Sequence, residues 1–64
     1  LTPREAEVLM HISRGLSNKE IAQKLKISPR TIDNHSQNLF KKIGAPGRTA
    51  AAMYAIDQGI FNTD

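Results

Sequence analysis

Between Arg30 and Lys41 the chain carries Arg30, Asp33, Asn34, Gln37, Asn38 and Lys41, polar side chains repeating at intervals of three and four. Carboxamides can bond bidentately to N6 and N7 of adenine, a carboxylate can accept from cytosine N4, and lysine and arginine suit phosphate oxygens. The set therefore fits the reading of base edges in a DNA major groove. An ordinary solvated face is the competing reading. A protein-binding helix would more often show an aromatic or aliphatic anchor at these positions.

The surrounding stretch, TIDNHSQNLFKKI over residues 31 to 43, is helical by pattern. At about 100° per residue, Ile32, Ser36, Leu39, Phe40 and Ile43 fall on one arc that needs a core, and Gln37, Arg30, Lys41, Asn34 and Asn38 fall on another. Asp33 lies at the edge between them. His35 lies on the other border of the apolar arc, where a packed or backbone-bonded role suits it better than base reading.

Three further helices must position this one. Thr2, Pro3 and Glu5 form a capping box with proline at the first helical position, predicting a helix over 3–14 with Val8, Leu9 and Ile12 inward and Gly15 after it. Ser17 and Glu20 repeat the box before a helix over 18–25 that turns Ile21, Ala22 and Leu25 to one side. Ser28 and Pro29 open the helix over 29–43, and Gly44 ends it. After Ala45-Pro46-Gly47 an alanine-rich helix runs over 49–58 to Gly59. No strand-like alternation occurs, so the expected fold class is all-α, a compact four-helix bundle. Only Lys26 and Ile27 separate the second and third helices, too little chain for an antiparallel pair, so the two cross steeply as a helix-turn-helix. Ala22 suits their close approach.

Composition narrows the function. The 64 residues form one small domain, without cysteine for a disulfide or thiolate site and with only two histidines, His11 and His35. His11 is expected as a partly exposed surface residue. No metal, no cofactor and no membrane span is called for, and a reducing cytoplasm suits the chain. No nucleophile-base set, glycine-rich phosphate loop or metal-ligand spacing points to an enzyme. The net charge is +3. Its distribution is uneven: residues 17 to 42 carry six cations against two acids, and the remainder three cations against four acids. A positive middle favours a polyanionic partner.

With these segments in place, LTPREAEVL, GLSNKEIAQKLKIS, TIDNH, FKKIG and RTAAAMYA, the chain resembles the LuxR-type helix-turn-helix DNA-binding domain of bacterial response regulators and quorum-sensing activators. The resemblance covers Leu1 to Ile60, within a domain taken as 1–64. It implies a homodimer on double-stranded DNA, with the third helix in the major groove, the start of the second on backbone phosphates, and the fourth at the subunit contact. By position it implies base contacts from Asp33, Asn34 and Gln37. It implies phosphate or positioning contacts from Ser17, Asn18, Lys19, Arg30, Thr31 and Lys41. Ala51, Ala52, Tyr54 and Ala55 are the residues expected at the dimer interface, small side chains that let two backbones approach. RNA polymerase is a further partner the resemblance implies, as is transcription regulation in the bacterial cytoplasm.

Two positions depart from the family pattern. Where the family usually has lysine, Asp33 must accept from cytosine N4 or pair with a cation such as Arg30 or Lys41. At Ser36, where an apolar residue is more usual, either the core edge is looser or the hydroxyl bonds back to the preceding turn. A promoter-reading domain like region 4 of a sigma factor shares the EIAQKLKIS pattern but leaves GAPGRTAAAMYA unexplained; a small helical protein-binding module is the other alternative. The boundaries lead one to expect an output domain taken from a longer regulator with a sensory domain upstream.

Overall fold

Helix starts in this chain are local events. In the computed structural model, which describes residues 1–59, Glu5 N donates to Thr2 Oγ1 at 3.2 Å and Thr2 N donates to Glu5 Oε1 at 3.0 Å. The Ser17–Glu20 box closes the same way, at 3.2 and 2.8 Å. Thr31 N donates to Ser28 Oγ at 3.2 Å. These caps satisfy donors that the first helical turn leaves without partners. They launch α1 (Pro3–Ser13), α2 (Asn18–Leu25) and α3 (Pro29–Ile43). The fourth helix, α4 (Arg48–Gln58), starts at Gly47 without a side-chain cap, one residue earlier than its pattern predicts.

Three helix ends close alike. After α1, Leu16 N donates to His11 O at 3.1 Å; after α2, Ile27 N to Ala22 O at 3.1 Å; after α3, Ala45 N to Phe40 O at 2.9 Å. Each bond needs a left-handed residue just before its donor. Gly15 and Gly44 supply two of them, at φ 86° and 71°. The third is Lys26, at φ 58°, the one non-glycine residue with positive φ among those described. A side chain in that conformation costs roughly 1–2 kcal/mol. The residues that follow, Leu16, Ile27 and Ala45, each pack against the core.

Every helix sends apolar side chains to one cluster: Val8, Leu9 and Ile12 from α1, Ile21 and Ala22 from α2, Ile32 and Leu39 from α3, Ala51 and Ala55 from α4. α1 packs on α3 and α4, α3 also packs on α2 and α4, and α2 packs extensively on α3 alone. Ala51 and Ala55, expected at a subunit contact, lie inside this chain. Both are fully buried within this chain, because their one-turn spacing turns them toward the core, and they have no surface to offer a second subunit. Ala52 and Tyr54 are half-buried, and the outward apolar face of α4 is instead Met53 and Ile56, 65% and 67% exposed. No described helix is long and apolar enough to cross a membrane.

Candidate nucleic-acid interface

α3 is clamped from beneath. Ile32, Ser36 and Leu39 are buried, Phe40 and Ile43 half-buried against the cluster, so the arc expected inward is inward. The opposite face follows from the same geometry: Arg30, Asp33, Asn34, Gln37, Asn38 and Lys41 are all exposed. Among the described residues none of these six side chains has a hydrogen-bond or ion-pair partner. Their donors and acceptors stand ready for a ligand along about three turns of a braced helix.

Asp33 pairs with neither Arg30 nor Lys41 among the described residues, so one of the two roles open to it in the sequence is not taken. Ser36 is 2% exposed, and its hydroxyl has no partner among the described residues. Of the two alternatives for this position, the back-bond to the preceding turn is not made there, and a buried unpaired hydroxyl lies beneath the outward face of α3. His35 is half-buried, and its side chain makes no hydrogen bond among the described residues.

The first turn of α2, the helix packed on α3, carries further candidates. Ser17 and Lys19 are exposed. The carboxylate of Glu20 is occupied by the cap, and its pKa is lowered chiefly by the Ser17 backbone N–H. Thr31 is half-buried with its hydroxyl 2.9 Å from that of Ser28, so the two form a pair at the start of α3. Asn18 is placed differently from its neighbours. It is half-buried, and its Oδ1 accepts from Arg48 Nη1 at 2.8 Å.

Two residues that matter here were not anticipated. Arg48 reaches back from α4 to α2, and its Nη2 is buried without a partner among the described residues. Nothing in the sequence singles it out, because Arg4, Lys19 and Arg30 also stand in the first turn of their helices. Lys42 belongs to the positive middle of the chain but not to the outward face of α3. Its ammonium lies 2.8 Å from Glu5 Oε1, joining the end of α3 to the start of α1. His11 is half-buried, its pKa lowered by burial and then by Lys24 and Arg14. Among the described residues no group of three or more His, Cys, Asp and Glu side chains is arranged to hold a metal ion.

Comparison with known proteins identifies the family. Residues 1–55 match the model of the family described as bacterial regulatory proteins, luxR family. The chain is 47% identical over 60 residues to the transcriptional regulatory protein LnrK of Bacillus subtilis, covering 94% of this chain and 27% of that protein. It is 47% identical over 62 residues to the transcriptional regulatory protein MctR of Rhizobium johnstonii, covering 97% and 29%. It is 49% identical over 57 residues to the CsgBAC operon transcriptional regulatory protein of Escherichia coli, covering 89% and 26%. The chain thus spans between a quarter and a third of the length of these three relatives. The match over most of its length, with the helix-turn-helix formed by α2 and α3, makes this chain a DNA-binding domain of the luxR family of bacterial regulatory proteins.

Proposed function

We propose that the domain binds double-stranded DNA sequence-specifically to regulate bacterial transcription, with α3 in the major groove. The observation that carries this reading is the outward face of α3, where carboxamides free of internal partners are flanked by Arg30 and Lys41 over a buried apolar underside. Asn34 and Gln37 read base edges, with Asp33 tuning the choice at one base pair. Ser17, Lys19, Arg30, Thr31 and Lys41 contact phosphates or position those contacts, as do the backbone N–H groups at the start of α2, which suit an anion. Asn18 acts from within that turn through its bond to Arg48.

Two copies bind an inverted repeat, meeting across the outward face of α4. Met53 and Ile56 supply exposed apolar area there, with Ala52 and Tyr54 at its margin. Promoter reading in the manner of a sigma factor is less well supported, because within GAPGRTAAAMYA the residues from Arg48 on belong to α4, a helix packed on α1 and α3 that such a reading leaves without a role. The parent regulator, its sensory input and its contact with RNA polymerase in the cytoplasm belong to the same proposal.

Selection of bound sequences from a random duplex pool, with stoichiometry by sedimentation, tests it. An inverted repeat holding two chains is the expected result. A half-site held by one chain would remove the dimer, and no enrichment would remove sequence-specific reading.

A further inference from the structure

α2 is the helix with least bracing. Its extensive packing is on α3 alone, and it is only 8 residues long. Its N-terminal turn, the end proposed above to grip phosphate, is anchored in the core by Ile21 and, among the described residues, makes one side-chain hydrogen bond to a distant element, from Arg48 Nη1 to Asn18 Oδ1, 30 residues apart. Arg48 is the first residue of α4, and among the described residues its buried Nη2 has no partner. That unpaired donor costs stability. What the guanidinium secures in return, among the described residues, is the position of Asn18.

We infer that Arg48 is a positioning residue for DNA binding: by holding the Asn18 carboxamide it fixes the first turn of α2, so that Ser17, Lys19 and the free N–H groups of that turn meet a phosphate in one geometry. The inference rests on the DNA-binding reading. It also makes the bond a link between α4, the proposed subunit contact, and the phosphate-gripping end of α2. A rigid first turn matters because an ammonium on a long side chain gains little from a phosphate when its own backbone can swing.

The test compares binding to a random-sequence duplex across a salt series for the unaltered chain, Arg48→Ala, Arg48→Lys, Asn18→Ala, Lys19→Ala and the pairwise combinations. Arg48→Ala and Asn18→Ala should each weaken binding roughly 5- to 10-fold and lower the salt slope by about one. Together they should cost no more than either alone. Lys19→Ala should add little once Arg48 is gone, and Arg48→Lys, which keeps one donor, should recover part of the loss. Asn18→Ala changes no charge, so a lowered slope in it does not come from a missing cation, and it reads the same bond if Arg48→Ala fails to fold. Folded variants with an unchanged salt slope and fully additive losses would overturn the inference while leaving DNA binding intact. Absence of salt-dependent binding by the unaltered chain would overturn the DNA-binding reading and the inference with it.

Discussion

Lys42 Nζ lies 2.8 Å from Oε1 of Glu5, a carboxylate only 4% exposed that also accepts the backbone N–H of Thr2. One acidic side chain thus caps α1 and fastens it to the last turn of α3. The Lys42 ammonium, with help from the Thr2 N–H, lowers the Glu5 pKa from its ordinary 4.5 to about 2. A depressed carboxyl pKa means that the unfolded chain binds the proton more readily, so the stabilisation is complete above pH 4.5 and is lost as pH falls toward 2. Lys42→Met should move the midpoint of acid unfolding to higher pH in a circular-dichroism titration. An unmoved midpoint would mean that Glu5 is held by Thr2 alone. His11, with its pKa depressed below 6.5, adds an earlier loss of stability as pH falls through that value.

Gln37 is exposed and without a partner at the middle of the outward face. Gln37→Ala should cost ~1–3 kcal/mol at the cognate base and relax preference there, measured by competition among single-base variants of the selected site. A loss equal on every sequence would remove it from the base-reading set.

Lys19 stands in the first turn of α2, exposed and free of ion pairs among the described residues. Lys19→Ala should weaken binding to all duplexes alike. A protein loses ~0.9 log unit of affinity per log unit of salt for each phosphate it neutralises, so the slope should fall by about one. An unchanged slope would place Lys19 off the backbone.

Asp33 puts a carboxylate on a face otherwise built of amides and cations, and no internal cation neutralises it among the described residues. Asp33→Lys should raise affinity for random duplex and narrow the ratio of specific to nonspecific binding. The ratio itself is the readout, and its constancy would make Asp33 peripheral.

Ser36 buries a hydroxyl that has no hydrogen-bond partner among the described residues. Leaving such a group unpaired costs ~1–3 kcal/mol, and deleting the oxygen opens little space, so Ser36→Ala should stabilise the fold by about 1 kcal/mol in urea unfolding. Destabilisation would show that the hydroxyl is satisfied in solution.

What the sequence makes legible follows from distance along the chain. Thr2 with Glu5, Ser17 with Glu20 and Ser28 with Thr31 are pairs three residues apart, so residue types alone announce them. The two faces of α3 follow from helical period, and with them the exposure of Asn34 and Gln37. Glu5 with Lys42 and Asn18 with Arg48 are 37 and 30 residues apart, and nothing local marks either pair. Lys26 was hidden for another reason: the left-handed position that usually advertises itself as glycine is filled here by a residue that bears the strain. The inward turn of Ala51 and Ala55 was ambiguous because alanine suits a core and a subunit contact equally.

The shared closure at Gly15, Lys26 and Gly44 bears on how this domain can change its length. Each of those connections is stitched by a backbone bond from the residue after the left-handed position, leaving no spare residue between the helix it ends and the core side chain that follows. An added residue there would have to break the stitch or shift the next helix; after Lys26, a turn of α3 by about 100° would carry Gln37 from the outside toward the core. The connection at Pro46 and Gly47 lies beyond the last stitch and before an uncapped helix start, and it is there that insertions should be accommodated.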